Sequence, residues 1–453
     1  MNDIVRPPAP SRIAVVGSGI AGLAAAWLLS TRHQVVLYEA AGRLGGHTNT
    51  VDVSVAGAQF AVDTGFLVFN HRTYPNLTGL FDHLGVASVA SEMSFSVSLT
   101  EPELEWAGSS LATVFGQRRN LVRPAFWGML SDILRFNRDS QIWLDRLERG
   151  EIADAGLTLR DFLDLHGFRR SFADWYLLPM AAAIWSCPTC EMLDYPLATF
   201  VRFCRNHGLL QIFDRPEWRT VEGGARRYVE RLRAGIGDVR LDDPVQAVIR
   251  GREHVMLSSA AGVDTFDHVV FACHSDQALR ILGNAATPDE RTLLARVRYQ
   301  PNRAVLHTDP QQLPRNRKLW SAWNYLGGKD AGAGRPVAVS YLINRLQPLP
   351  VSTPVVVTLN PTQAPRPEHV LAEFDYAHPV FDLAAISAQL LLPTIQGRQR
   401  LWYCGAWTGY GFHEDGLKSA LAVAAAFGIA PPWQIAASPT VEHTALPVAA
   451  GEV

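Results

Sequence analysis

Arg12-Ile13-Ala14-Val15-Val16-Gly17-Ser18-Gly19-Ile20-Ala21-Gly22-Leu23-Ala24-Ala25-Ala26-Trp27-Leu28-Leu29 sets a short apolar run, a glycine-rich turn and a longer apolar run end to end. The first run reads as a buried strand and the second as a helix. Val35-Val36-Leu37-Tyr38 then makes a second strand that ends on Glu39. Each part has a physical role. Gly17 permits the tight turn, Gly19 lets backbone approach a pyrophosphate, and Gly22 lets helix and strand pack closely. Ile20 and Ala21 open the helix, whose free N–H groups and positive dipole end face the phosphates. Glu39 lies about 20 residues beyond the first glycine, where a carboxylate accepts from a ribose hydroxyl. Glycines alone would mark only a turn. Strand, turn, helix, strand and terminal acid together imply a bound dinucleotide.

Working outward, the 453 residues exceed one simple core and suggest two domains. A formal net charge of −2 and 48% apolar residues are ordinary for a globular chain. Arginine pairs such as Arg118-Arg119 and Arg226-Arg227 are scattered, so no basic stripe suits a nucleic acid. The first eleven residues are polar and Pro-rich and read as no secretory leader, and no apolar stretch is long enough to span a membrane. A cytoplasmic setting is expected, with peripheral contact at the inner membrane compatible with it. The five cysteines make no secreted framework. Cys187-Pro188-Thr189-Cys190 lacks the second half of a metal set, so no metal is expected.

Further along, residues 50–55 and 59–63 read as a hairpin, and 94–99 and 104–106 as paired strands. Residues 124–147 are apolar at helical spacing, and Thr158 is a candidate N-cap for a helix at 159–166. The run 172–185 is apolar throughout and reads as core or as the wall of an apolar cavity. Short strands are expected at 239–241, 245–250 and 268–272. β-branched runs at 302–307, 337–343 and 355–359 suit an antiparallel sheet. A loop is expected at 327–334, a strand at 401–405 and a helix from about 416 to 427.

After Glu39, Ala40-Ala41-Gly42-Arg43-Leu44-Gly45-Gly46-His47-Thr48 adds an arginine that can reach a phosphate and glycines that bring backbone close to a ligand. This extension resembles the FAD fingerprint of the flavin amine oxidase, phytoene desaturase and protoporphyrinogen oxidase superfamily. Glu222-Gly223-Gly224, the strand beginning Pro244-Val245, the strand 266–272, Tyr403-Cys404-Gly405 and Glu414-Asp415-Gly416-Leu417 are similar to its later motifs, front, middle and end. The resemblance implies FAD held by Gly17, Gly19, Ile20, Ala21, Gly22, Glu39, Ala40, Arg43, Gly45, Gly46, Thr48, Val245, Gly405, Asp415, Gly416 and Leu417. It implies an α/β fold: a split Rossmann-like FAD domain (residues 1–80, 215–285 and 395–430) with an inserted α+β substrate domain (81–214 and 286–394). That insert would carry an antiparallel sheet and a helical subdomain, and 431–453 would form a loose tail. The last helix would direct its N-terminus at the pyrimidine end of the flavin.

Gly45-Gly46-His47-Thr48-Asn49-Thr50, Val62-Asp63-Thr64-Gly65-Phe66 and Gly409-Tyr410-Gly411-Phe412-His413-Glu414 resemble a bacterial group of FAD-binding amine-oxidase-like proteins. Similar sequence forms the flavin domain of plant cyclopropane fatty acid synthases. The resemblance implies an oxidoreductase with a small-molecule, fatty-acyl or lipid substrate, and a lipid-modifying enzyme as partner. Amine oxidation, and a catalytically silent flavoprotein beside a methyltransferase, are the alternatives. The sequence departs from the better-known relatives at His47, where arginine is common, and at Ala406-Trp407, where an acid is usual. Lys318 and Lys329 are the only loosely placed lysines for a water-holding role, and Lys418 falls inside the last helix. Tyr410 and Phe412 could frame an amine. His413, before the flavin-facing turn, is the candidate base or proton shuttle, against a structural histidine in a tight turn. Asp63 reads as a backbone or ribityl-side contact, His274 as a loop residue, and Cys404 as a conceivable attachment point.

Overall fold

The structure, a computed structural model, describes residues 10–153, 156–211, 215–328 and 337–434. In chain order it places β1 (Arg12–Val16), α1 (Ile20–Leu29), β2 (Gln34–Tyr38), α2 (Pro75–Leu84), β3 (Phe95–Thr100), β4 (Glu103–Ala107), α3 (Pro124–Glu148) and β5 (Asp238–Arg240). Then come β6 (His268–Phe271), α4 (Ser275–Leu282), β7 (Arg298–His307), β8 (Trp323–Gly327), β9 (Val339–Leu342), β10 (Val356–Leu359), β11 (Val370–Val380), β12 (Leu401–Tyr403) and α5 (His413–Ala426).

Among the described residues the first sheet runs β5-β2-β1-β6-β12, every neighbour parallel. Its strands come from the front, middle and end of the chain. β1 sits at its centre and is buried from Ile13 to Val16, as apolar runs covered on both faces must be. Helix α1 is apolar nearly all round and only Trp27 keeps partial exposure. It lies between the sheet and α5. A Cβ on Gly416 would stand 2.9 Å from Ile20 Cγ2, so a glycine in α5 sets how closely the two helices approach.

The second sheet runs β11-β7-β10-β9-β8-β3-β4. Neighbours are antiparallel except β8 and β3, which pair in parallel from Trp323↔Phe95 to Gly327↔Leu99. The expected antiparallel sheet is thus present, with one parallel seam. The reason is topological: β3 and β4 belong to one inserted length of chain and β7 to β11 to another. The seam is tied by Ser96 Oγ donating to Asn324 Oδ1 at 2.8 Å, both fully buried.

Helix α3 opens with Pro124 and buries Phe126, Met129, Phe136 and Leu144. Thr158 caps Leu159–Leu165, its hydroxyl accepting from Asp161 N while Asp161 accepts from Thr158 N. The apolar run 172–185 is helical and contains a π-turn at Ala173–Leu177. It serves both expected roles: Phe172 and Leu177 are core, and Tyr176, Met180 and Ile184 line a cavity. Several expectations need correction. β7 begins at Arg298, before the β-branched run, and α5 begins at His413, three residues before the expected Gly416. Residues 212–214, most of the loop 327–334, Lys329, the first nine residues and the tail beyond 434 lie outside the described residues.

Candidate functional site

The glycine turn is built as its spacing predicts. Gly17 adopts φ +101° and donates its N–H to Tyr38 O at 2.8 Å, binding the turn to the end of β2. A Cβ on Gly22 would fall 1.8 Å from Gly17 O. A Cβ on Gly19 would meet nothing within 4 Å, because it would project into the cavity that Gly19 lines. That open cradle at the N-terminus of α1 fits a pyrophosphate. Glu39 Oε2 accepts from Ser18 N at 2.9 Å and Ser18 Oγ at 2.6 Å, and Oε1 accepts from Ala41 N at 2.9 Å. A carboxylate has about four acceptor positions, so one remains for a ribose hydroxyl. Ser18 also takes the N–H of Gly45, on O at 3.0 Å and on Oγ at 3.2 Å, which joins the second glycine pair to the first turn. A Cβ on Gly46 would lie 3.1 Å from Gly19 Cα. Arg43 donates to Gly46 O at 2.9 Å and Thr48 O at 3.3 Å, so it ties its own loop while standing on the cavity wall.

The cavity measures about 1470 Å³, above the roughly 300–1,000 Å³ of common ligand sites. One end is lined by Gly17, Gly19, Ile20, Ala21, Glu39, Ala40, Arg43, Gly45, Gly46 and Val245. His47, Cys273, His274 and Gly405 also line the cavity and adjoin the cradle, since a Cβ on Gly17 would lie 3.1 Å from Cys273 N and His47 follows Gly46. The far lobe is aromatic and apolar: Phe95, Trp106, Tyr176, Met180, Ile184, Trp185 and Phe203. Gly22, Thr48, Asp415, Gly416 and Leu417 do not line it. Gly22 and Gly416 act through packing, Leu417 is core, and Asp415 and Thr48 serve their neighbours.

The turn into α5 explains this. Asp415 Oδ2 accepts from Phe412 N at 3.0 Å and caps the helix from within. Burial pushes its carboxyl up to about 6. Gly411, Phe412 and His413 therefore face the cavity instead, and the helix N-terminus points there with them. His413 Nε2 bonds Thr48 Oγ1 at 2.9 Å and Tyr228 Oη at 3.1 Å, and its ring stacks on Phe66 at 3.7 Å. Burial brings its pKa down to about 3. Burial keeps the imidazole neutral, and its Nε2, already bonded to Thr48 and Tyr228, orders this part of the wall.

Other expected residues are placed as follows. Asp63 lies off the cavity: it accepts from Ala225 N at 3.0 Å and caps the turn after Gly224, and burial pushes it up to about 6. Tyr410 and Phe412 both line the cavity, Phe412 stacked on Phe203 at 5.2 Å. His274 lines it from the N-cap of α4. Lys318 is exposed and off the wall, and Lys418 is 3.9 Å from Glu414 Oε1. Cys404 is fully buried away from the cavity, and burial raises its thiol, so it offers no attachment point. Burial pushes the Cys187 thiol up to about 12, which leaves it protonated. Nothing in its immediate sequence singles out His378, on β11 and on the cavity wall. The usable signal is the alternation of Leu371, Glu373 and Asp375 with Ala372, Phe374 and Tyr376, which puts His378 on the same strand face as Tyr376.

Residues 20–346 match the family of flavin containing amine oxidoreductases. A 50-residue stretch is 50% identical to an L-amino-acid oxidase from Pseudechis australis, 11% of this chain and 10% of that one, so the chain matches about a tenth of that relative's length. Among solved structures, a CLA-producing fatty acid isomerase from P. acnes superposes with a TM-score of 0.63 at 16% identity, over 92% of this chain and 99% of the other. A cyclohexylamine oxidase from Brevibacterium oxydans gives 0.61 at 18%, over 92% and 99%. A putrescine oxidase bound to putrescine gives 0.61 at 15%, over 92% and 99%. The split parallel sheet, the Gly19 cradle and a family match over most of the length agree: the chain is an FAD-dependent oxidoreductase and belongs to the flavin-containing amine oxidoreductase family.

Proposed function

We propose that the protein oxidises an apolar, acyl-chain substrate held in the aromatic lobe. The observation that carries this reading is the lobe itself, where Phe95, Trp106, Tyr176, Met180 and Ile184 wall a space continuous with the cofactor cradle. Apolar walls with few polar groups select a hydrocarbon. Bound FAD supplies a hydride acceptor at flavin N5. The chain's own residues bind and orient: the α1 N-terminus and Glu39 grip one end of the cofactor, and the α5 N-terminus favours negative charge at the other. The fatty acid isomerase among the structural neighbours supports the same class of substrate. Oxygen or another acceptor would take the electrons away, and a lipid-modifying enzyme would be the natural partner.

A second reading is amine oxidation. Tyr410 and Phe412 flank the cavity where α5 begins, and two structural neighbours are amine oxidases. Anaerobic mixing of the purified yellow protein separates the two. Bleaching of the oxidised-flavin band by oleate or an oleoyl phospholipid, and not by putrescine or cyclohexylamine, is the expected result. Bleaching by the amines alone would remove the acyl reading.

A further inference from the structure

Three imidazoles from three separate segments converge on the cavity wall beside the glycine cradle. His47 follows Gly46, His274 caps α4, and His378 sits on β11. The His47 ring centre is 5.1 Å from that of His378 and 6.1 Å from that of His274. The His47 ring also stacks on Tyr376 at 5.1 Å, and His274 stacks on Tyr299 at 4.3 Å. The Tyr376 hydroxyl is itself held, accepting from Asn49 Nδ2 at 3.0 Å and bonded to Thr64 Oγ1 at 2.8 Å.

The hydrogen-bond partners of His378 decide where its proton sits. The backbone N–H of Arg303 donates to Asn360 Oδ1 at 3.0 Å, which orients that amide. Asn360 Nδ2 then donates to Val337 O at 3.1 Å and to Asn302 Oδ1 at 2.6 Å. Asn302 must therefore turn its own NH2 outward, to Gln300 O at 3.0 Å and to His378 Nδ1 at 2.9 Å. An Nδ1 that accepts leaves the proton on Nε2. Burial, with repulsion from His274, brings the His378 pKa down to about 4, so the ring is neutral. His378 is thus a neutral donor on the cavity wall with no accepting nitrogen to spare. His378, His274, His413 and Arg43 all act on His47 to oppose a further positive charge, and Asp276 is the carboxylate that acts on His274.

We propose that this wall is the subsite for the carboxyl end of an acyl substrate, with His378 Nε2–H donating to a carboxylate or carbonyl oxygen while the aromatic lobe takes the chain. The proposal rests on the acyl reading above and deepens it. His378 acts here as a binding group, and Asn302 and Asn360 are positioning residues that act through it.

The test titrates the holoenzyme with oleate and with oleylamine by calorimetry, for the wild type, His378→Phe and Asn302→Asp. An aspartate at 302 would accept where the amide donates, moving the ring proton to Nδ1 while keeping the imidazole. The wild type should bind oleate at least about tenfold more tightly than oleylamine, and both variants should lose about tenfold for oleate, the scale of one hydrogen bond to a charged group. Oleylamine affinity should stay within about twofold, a small fraction of that same hydrogen-bond scale. Long-range 1H–15N spectra should show the His378 proton on Nε2 in the wild type and on Nδ1 in Asn302→Asp. Oleylamine binding as tightly as oleate in the wild type overturns the proposal whether or not the variants fold. So does a variant that loses both ligands alike or neither, or a wild-type proton on Nδ1. If an acyl substrate bleaches the flavin while oleate shows no preference over oleylamine, the subsite is wrong and the acyl function stands. If amines alone bleach it, both fall.

Discussion

Glu414 holds Leu77 across 337 residues of sequence: its Oε2 accepts the Leu77 N–H at 3.0 Å. Its Oε1 accepts from Asn76 N at 3.1 Å and Asn76 Nδ2 at 2.7 Å. The second residue of α5 therefore caps α2, and two helix N-termini are locked together beside the cavity. Glu414→Ala should cost about 2–4 kcal/mol, because three donors, two of them unpaired helix N–H groups, lose a buried charged acceptor. Glu414→Gln should cost nearly as much, since its NH2 must face a donor. Urea unfolding measures both. Lys418→Ala should change stability by less than about 0.5 kcal/mol, because the half-exposed ion pair with Glu414 is long and screened.

Glu39→Ala should lower FAD affinity by about tenfold or more, with a cost of roughly 1.5–3 kcal/mol per charged hydrogen bond lost. The loss has two sources: the free acceptor for the ribose, and the two bonds that set Ser18 in the turn. Glu39→Gln should fail too, since Ser18 and Ala41 donate to opposite oxygens. Flavin fluorescence during titration of apoprotein reads the affinity. Full flavin retention by both variants would show that Glu39 holds no part of the cofactor.

Gly416→Ala should destabilise by about 1–3 kcal/mol through overpacking against Ile20. Ile20→Ala alone should also destabilise. The double variant should cost less than the sum by about 1 kcal/mol, because the smaller side chain removes the clash. A double-mutant cycle in urea checks this; strict additivity would mean α1 and α5 adjust elsewhere.

Melting temperature should fall as pH drops below about 6.5, the unfolded histidine pKa. His413 is held near 3 and His207, His307 and His378 near 4 in the folded chain, all through burial. Between those values and about 6.5 the unfolded chain binds more protons, so acid favours unfolding. Each fully buried imidazole withdraws of order 1–3 kcal/mol by pH 4. Asp63 and Asp415 act oppositely: both sit near 6 when folded, so they gain stability as pH falls through 6. The imidazoles outnumber them. His378→Phe should flatten the slope in thermal scans from pH 7.5 to 5.5, and an unchanged slope would mean the ring is charged or exposed.

The cofactor cradle was legible because its determinants are local. Gly17, Gly19 and Gly22 act within one turn, and Glu39 ends the next strand. The far end was less legible. Gly416 reads as a helix start, yet Asp415 reaches back to Phe412 N and moves the start to His413. β11 was hidden by Glu373, Asp375 and His378, although its exposure alternates through the charged stretch. The role of His413 depends on Thr48 and Tyr228, 365 and 185 residues away. No local pattern encodes such a meeting.

The parallel seam between β3 and β8 has a consequence for assembly. Closing it brings together residues 228 apart, as Ser96 and Asn324 are, and loop closure over such a length is slow. Phe95 and Trp323, paired across the seam, both line the aromatic lobe, whereas the glycine cradle needs neither. The nucleotide cradle and the substrate lobe thus depend on separate closures, and a full-length chain with a weakened seam would lose its choice of substrate before its hold on the nucleotide.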